Sequence, residues 1–410
     1  MNICMLTSFF LPTIGGVENH VYHLSKELQE AGHNVTVVHT CFDIESNGAK
    51  TKIEYIDNIE VHRIYIGIMK FKLSIPFLSN INNYINGFLR KIRPIMYSGK
   101  IAKYVLKLNE TKKFDIIHQH DFISNIFTTK RLSKYKPIVL TNHTGEYLLL
   151  EKYKITRLII PNLVNHLSYL IGPSKDLADV KCMKKNASYI TNGCDINAFY
   201  PLVGKAIEEK KIELNIPCNK KIVLCARRWA PTKGVIYLVK AINGIIANHP
   251  DTLFLLSGNN YYGYPDYVKS VMDIIESNDI ANNIILLGDI PYNKMAAYDQ
   301  IADIVVLPSV LEATSLSGLE AMSCGKALIG TDVGGIPEII DDGKTGILVP
   351  KCDSDELAKA IDYLLENDDV RERMGFEARK KIELRFSWHV IARETEKIYD
   401  KILQSKSFIN

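Results

Sequence analysis

Two carboxylates and two cations carry the most visible chemistry in this chain. Glu312 and Glu320 stand with seven residues between them in Pro308-Ser309-Val310-Leu311-Glu312-Ala313-Thr314-Ser315-Leu316-Ser317-Gly318-Leu319-Glu320-Ala321-Met322. The apolar run Asp303 to Leu307 reads as a strand, Pro308-Ser309 breaks it, and a helix opens near Ser315 and Leu316. The first N–H groups of a helix have no intrahelical partner, so a strand, a loop and a helix start make an anion site. The two carboxylates would repel phosphate and suit hydroxyls instead, as a carboxylate does on a ribose diol. Phosphate and polyol together describe a nucleotide sugar. The matching cations lie in Arg227-Arg228-Trp229-Ala230-Pro231-Thr232-Lys233-Gly234, directly after the apolar strand Lys221–Ala226. From that loop Arg228 and Lys233 can grip a diphosphate, and the helix that follows adds N–H donors.

The first half of the chain offers a second set. A short apolar strand, Asn2 to Thr7, runs into a turn-rich loop ending in Gly15-Gly16, and a helix with Val17, Val21, Leu24 and Leu28 at helical spacing follows. Open α/β sheets bind ligands at the carboxyl ends of their strands, where Gly15 and Gly16 stand. A glycine pair also makes an ordinary tight turn, and this is not a Gly-x-Gly-x-x-Gly dinucleotide loop. The strand Phe114 to Asp121 ends in His118-Gln119-His120, whose two imidazoles share a side by the period of two. No third ligand follows at a usual metal spacing, so the expected metal is none and His120, nearer the strand mouth, is the site residue. Ser257-Gly258-Asn259 supplies a further small loop at a strand end, with Gly258 a donor-binding candidate.

Composition sets the frame for these sites. With 410 residues, two domains are expected. The chain is 47% hydrophobic and 23% charged, as ordinary globular proteins are. A net charge of +4 gives no reason to expect a nucleic-acid partner. Eight scattered cysteines without a Cys-x-x-Cys pair read as reduced thiols, not a disulfide frame or zinc site. No apolar stretch reaches the roughly 20 residues of a membrane span, and the first residues read as a strand, so a cytoplasmic place is expected.

The same strand–helix grammar occurs twice, which implies two Rossmann-like β/α/β domains facing each other across a cleft. The boundaries expected are 1–200 for the first domain, 201–220 for a polar linker, and 221–386 for the second, the one carrying the nucleotide-sugar features. A terminal amphipathic helix, 387–410, is expected to return to the first domain. Residues 69–113 hold ten basic side chains against the single acid Glu110, interleaved with apolar ones. Such a segment fits either a peripheral surface for anionic lipid or a helix pair with solvated lysines. Asp353-Ser354-Asp355 has the form of a metal-binding Asp-x-Asp, yet its place at a helix start reads as capping.

Taken together, the run Pro308 to Met322, with Cys324-Gly325-Lys326-Ala327, Gly334-Gly335-Ile336-Pro337-Glu338 and Gly343 to Val349, closely resembles the C-terminal domain of family-4 retaining glycosyltransferases with the GT-B fold. Pro12 to Glu18, Asp115 to Asp121, Asn192-Gly193-Cys194-Asp195 and Arg228 to Gly234 resemble that family's other segments, in order along nearly the whole chain. The resemblance implies transfer of a sugar from a nucleotide diphosphate donor, a uridine one favoured, to a glycan or lipid-linked hydroxyl. It implies retained anomeric configuration, no metal and no cofactor beyond the donor as co-substrate. Glu312 would support the donor sugar's developing positive charge, Arg228 and Lys233 the departing diphosphate, and Glu320 the ribose. Thr314, Ser315, Leu316, Gly258 and Gly16 would line the donor, Gly15 and Gly16 would form the phosphate or acceptor loop, and His120 would contact the transferred sugar. Two departures stand out: Thr314-Ser315 where the family often has an aromatic and a glycine, and Arg227 where glycine is common. A nucleotide-sugar epimerase and a non-catalytic nucleotide-sugar-binding protein are the alternatives. Donor consumption without a new glycoside would mark the first, and binding without release of the diphosphate the second.

Overall fold

The computed structural model describes residues 1–13, 15–41, 51–66, 79–143, 154–180, 183, 186–258, 263–278 and 280–407; of these, side chains are described for all but 79–92, 94, 154–156 and 406–407. Contacts divide the chain into two compact units, Met1–Thr191 with Ile391–Asn410, and Asn192–Val390.

The first unit is built on an eight-stranded sheet. Its strands are β1 (Asn2–Thr7), β2 (Asn34–Cys41), β3 (Thr51–Ile56), β4 (Ile59–Tyr65), β5 (Ile116–His120), β6 (Ile138–Thr141), β7 (Tyr169–Gly172) and β8 (Ala187–Tyr189). Their order is β3-β4-β2-β1-β5-β6-β7-β8, and only the β3–β4 pair is antiparallel. Central strands such as Ile116–His120 and Ile138–Thr141 are buried at every residue, because a parallel sheet covered on both faces needs continuous apolar runs. The β3–β4 hairpin turns at Asp57-Asn58, both at positive φ (46° and 66°), a conformation that Asn and Asp tolerate better than most residues.

The second unit carries six parallel strands: β9 (Lys221–Ala226), β10 (Thr252–Ser257), β11 (Ile284–Gly288), β12 (Ile304–Leu307), β13 (Ala327–Thr331) and β14 (Gly346–Val349), in the order β11-β10-β9-β12-β13-β14. One apolar cluster, including Trp229, Val235, Leu238, Phe254 and Ile361, fills one face of this sheet. A second cluster, including Leu224, Leu255, Leu319 and Ile382, fills the other.

In each sheet the chain builds outward in both directions from one pair of neighbours, β1 with β5 and β9 with β12. Ligands of open α/β sheets bind at the carboxyl ends of such a pair, where the crossovers leave toward opposite faces and a crevice opens. Gly15-Gly16 and His120 follow the first pair. Arg227 to Gly234 and Pro308 to Glu312 follow the second.

Two boundaries differ from the sequence reading. Residues 192–200 belong with the second unit, because Arg379 Nη1 donates to the carbonyls of Ile196 (3.3 Å), Phe199 (2.8 Å) and Ser323 (2.8 Å), and the Trp388 ring packs against Gly193. The stretch 201–220 is not an extended linker: it holds helix Lys205–Glu213, which packs on helix Tyr292–Ile301 and buries Lys211, whose Nζ donates to the Lys220 carbonyl at 2.9 Å. Its weak amphipathic pattern hid it. Of the basic segment 69–113, residues 69–78 lie outside the described residues, and helix Ser79–Lys112 covers most of the rest. Asn259 is also outside them.

Helix Trp388–Ser407 joins the first unit from Ile391 onward, burying Ile391, Thr395, Ile398, Tyr399 and Ile402. Tyr399 Oη bonds His118 Nδ1 at 2.6 Å, and His33 Nε2 lies 2.9 Å from Glu396 Oε1. His118 and Tyr399 are fully buried, so the bond satisfies two polar groups that water cannot reach. Tyr399→Phe leaves His118 one partner short and is expected to cost about 1–2 kcal/mol in urea unfolding. An unchanged midpoint would show that this bond does not hold the helix.

Candidate active site

In the second unit the basic loop and the glutamate loop are stitched together by backbone. Val310 and Leu311 N–H both donate to the Thr232 carbonyl, at 2.9 and 3.1 Å. Gly234 makes this approach possible: its φ is +65°, and a Cβ there would lie 1.8 Å from the Pro308 carbonyl oxygen. Gly334 does the same on the other side, with φ +52° and the Glu312 carbonyl oxygen 1.7 Å from the position of a Cβ. Thr331 Oγ1 donates to the Ser309 carbonyl at 2.6 Å and pins the exit of β12.

These ties bring Lys233 Nζ to 2.9 Å from both Glu312 carboxylate oxygens. The Glu312 side chain is only 8% exposed and Lys233 16%, so the pair sits in a largely dry site where charge interactions are strong. Arg227 is also in the cluster: it donates to Glu312, to Ser309 Oγ (3.1 Å), to Ser315 Oγ (3.2 Å) and to Ser317 Oγ (2.9 Å). Arg228, the arginine singled out in the sequence, is exposed on the loop surface. The spacing did not separate the two, because β9 is buried on both faces and alternation carried no signal. Burial lowers Lys233 to about 6 and Arg227 to about 10, with like charge from the neighbouring arginines as a further cause. Arg227 stays charged at neutral pH, and the Glu312 carboxylate 2.9 Å from Lys233 Nζ opposes the shift and favours the ammonium.

Helix Leu316–Ser323 opens beside this cluster, with Ser315 as its N-cap accepting from Gly318 N–H at 3.2 Å. Thr314 and Leu316 are half-buried around that start. Glu320 lies one turn inside, 7% exposed, bonded by Tyr292. Burial raises its carboxyl to about 7, while the Tyr292 hydrogen bond and the Arg227 charge pull the other way. Gly258 ends β10 at φ +77°, its N–H donating to the Gly288 carbonyl at 2.7 Å, and a Cβ on it would lie 2.5 Å from the Arg227 carbonyl oxygen. The second unit therefore brings Glu312, Lys233, Ser315 and Leu316 around one spot, with Glu320 behind them. Asp353 accepts from Asp355 and Glu356 N–H (3.1 and 3.0 Å), so Asp-x-Asp is a helix cap here.

In the first unit the strand ends hold a histidine cluster. The rings of His118 and His120 lie 4.1 Å apart, on one side of β5 as alternation requires. His120 is fully buried, with Nδ1 3.1 Å from His143 Nε2 and Nε2 3.4 Å from Met5 Sδ. His20, one helical turn after Gly16, packs its ring 4.4 Å from that of His143. Burial and neighbouring histidines hold His118, His120 and His143 well below the ordinary range, so they are neutral at pH 7. His20, His120 and His143 bring ring nitrogens within 4.8 Å of one another, the single such group of metal-ligand type among the described residues. Sequence spacing missed it, because the ligands come from three separate elements. A metal-bound histidine usually gives its second nitrogen to a carboxylate or carbonyl, whereas that of His120 faces a thioether. The neutral imidazoles suit hydroxyls equally, and His143 is the partly exposed member. Gly16 opens helix Gly16–Glu30 and Gly15 caps it. The nearest atom to a Cβ on Gly15 is Glu18 Oε2, at 2.5 Å, and burial raises that carboxyl. A carboxylate pressed on Gly15 makes this loop a better place for hydroxyls than for phosphate.

The Glu320 shift has a consequence for stability. Below the unfolded carboxyl range, near pH 4.5, both states hold the proton and nothing is lost. Between there and about 7 only the native state holds it, so stability falls as pH rises, then levels off. Glu320→Gln removes this dependence and should gain on the wild type between pH 4.5 and 7.5, by up to about 3 kcal/mol. Parallel urea curves at the two pH values measure it, and a constant difference would contradict the raised carboxyl.

Known proteins agree with this architecture. The family described as Glycosyl transferases group 1 matches residues 206–381, and Glycosyltransferase Family 4 matches residues 14–197. A glycosyltransferase of Methanocaldococcus jannaschii is 25% identical over 97% of this chain and 98% of its own. The phosphatidyl-myo-inositol mannosyltransferase of Mycolicibacterium smegmatis is 24% identical over 98% of this chain and 94% of its own. Among solved structures, Anabaena HepE in complex with UDP superposes with a TM-score of 0.74 at 19% identity, covering 98% of this chain and all of that one. Two parallel α/β units, family matches over both and a GT-B neighbour along the full length lead to one assignment: the chain belongs to the group 1, family 4 glycosyltransferases of the GT-B fold.

Proposed function

We propose that the protein transfers a sugar, with retention of anomeric configuration, from a nucleoside diphosphate donor to a hydroxyl of a glycan or lipid-linked acceptor. The observation that carries this reading is the Glu312 carboxylate held 2.9 Å from Lys233 at the switch point of the second sheet. As the bond from the anomeric carbon to the diphosphate breaks, positive charge grows on the sugar and negative charge on the leaving group. Glu312 faces the first, and Lys233 with Arg228 and the helix start at Leu316 takes the second. Such a fixed arrangement aimed at developing charge is a strong catalytic device. These cations do the work a metal would otherwise do, and the sole co-substrate is the donor. Glu320, ionised, accepts from the ribose hydroxyls. Gly258, Thr314 and Ser315 line the donor, while His120 with its neighbour His143, and the Gly15-Gly16 loop, serve the sugar and acceptor.

A uridine diphosphate donor is favoured, and the UDP-bound state of HepE, a protein of the same fold, supports it. A lipid-linked acceptor finds support in the mannosyltransferase relative, whose name specifies a phosphatidylinositol. No helix among the described residues is long and apolar enough to cross a membrane. Peripheral contact through helix Ser79–Lys112, with Ile95 and Met96 exposed beside the basic Lys100 and Lys103, is the form of attachment that fits.

A panel of nucleotide sugars screened by thermal shift should single out one donor, because a ligand that binds only the folded state raises apparent stability. With that donor, Glu312→Ala should lose transfer by at least about 100-fold while circular dichroism shows the fold intact, and EDTA should leave the wild-type rate intact. Undiminished transfer by the variant would end this assignment of Glu312, and loss with EDTA would end the metal-free reading. Flotation with anionic against neutral vesicles tests the membrane contact: the anionic set alone should retain the protein, and equal behaviour of both removes that contact.

A further inference from the structure

Arg227 is fixed at both ends. Its carbonyl packs against Gly258, where a Cβ would stand 2.5 Å away, and its guanidinium reaches across the exit of β12 to the start of helix Leu316–Ser323. Nη2 donates to Ser309 Oγ at 3.1 Å and to Glu312; Nη1 donates to Ser315 Oγ at 3.2 Å and to Ser317 Oγ at 2.9 Å. Ser309 Oγ completes the ring by donating to Glu312 Oε2 at 3.2 Å. One planar fork therefore fastens both ends of the segment Ser309–Ser317 and the carboxylate in its middle. A lysine ammonium is a compact point charge on a flexible stem and cannot hold four acceptors in a fixed plane. The guanidinium is 8% exposed, with both Nη groups engaged and Nε buried without a partner, whereas the neighbouring Arg228 is exposed.

We propose that Arg227 is a positioning residue: it orients Glu312 and the serine-rich loop for sugar transfer and leaves the diphosphate to Lys233 and Arg228. The inference rests on the glycosyltransferase reading of this site. It also unites two features of the sequence that look unrelated there. Serine hydroxyls at 315 and 317 are the acceptors that a buried guanidinium at 227 requires, since an unpaired buried charge is costly. A phosphate-binding arginine would hold the nucleotide, so its loss would weaken product binding. A positioning arginine would leave product binding intact and lower the rate.

The test compares wild type, Arg227→Met and Arg227→Lys in three measurements: kcat and KM with the donor found in the screen, UDP affinity by calorimetry, and the thermal midpoint. Arg227→Met is expected to lower kcat on the order of 100-fold while UDP affinity stays within about 3-fold. Arg227→Lys should recover about a tenth of the wild-type rate, a rescue that a purely structural role would not give. Ser317→Ala, which removes one acceptor and keeps the charge, should lower kcat about 5-fold at unchanged UDP affinity, and serves if Arg227→Met does not fold. Loss of UDP affinity by 10-fold or more with kcat retained would make Arg227 a phosphate ligand and overturn the proposal. An unchanged kcat in both Arg227→Met and Ser317→Ala would overturn it too. If the wild type neither binds UDP nor turns over any donor, the reading of the site itself fails, a result separate from those.

Discussion

A carboxylate and an ammonium, 2.9 Å apart and mostly out of water, are the constraint around which the second unit is arranged. Bringing two charges out of water is expensive, and their attraction offsets it only with good geometry and further hydrogen bonds. The chain supplies both through features that are costly elsewhere. Gly234 and Gly334 accept positive φ so that three loops can touch backbone to backbone. Arg227 adds a second cation with serine partners for its Nη groups. Around these, the parallel sheet provides rigid strand ends and a crevice that the topology creates whatever the chemistry. The site thus sets two largely buried cations, Lys233 and Arg227, on the one Glu312 carboxylate, an excess of positive charge that a diphosphate can take up.

The first unit solves a different problem. His118, His120 and His143 are neutral and packed on one another at the strand exits, and the bond from His118 to Tyr399 ties that cluster to the last helix of the chain. A neutral, hydrogen-bonding surface suits sugar hydroxyls, whereas the second unit's charged one suits phosphate. On the proposed reading, a division of labour between the units would follow from electrostatics and would not need a shared motif.

Much of this was legible in the residues. Strands such as Asn2–Thr7, Lys221–Ala226 and Thr252–Ser257 are apolar runs bounded by turn residues, and Lys233 and Glu312 both follow such strands directly. What could not be read came from contacts between distant elements. Arg227 and Arg228 look equivalent in the loop after a strand buried on both faces, and only packing decides which one turns inward. His20 and His143 join His120 through three separate elements, although His20, four residues after Gly16, shares its helix face. The β3–β4 hairpin was missed because Thr51–Ile56 is a short edge strand whose alternating residues Ile53 and Tyr55 stay exposed, and its clearer signal was the turn pair Asp57-Asn58. Helix Lys205–Glu213 was hidden in a polar stretch for a similar reason: it covers little apolar surface, and charge pairs such as Lys210 with Glu213 dominate its exposed side.

The most direct measurement is a crystal structure of the chain soaked with UDP. The account predicts the diphosphate within hydrogen-bond distance of Lys233, Lys233 moved off Glu312 toward it, the ribose on Glu320, and Arg227 still bonded to Ser309 and Ser317. A nucleotide bound elsewhere, or one seated with Lys233 still paired to Glu312 and no contact to Glu320, would contradict it.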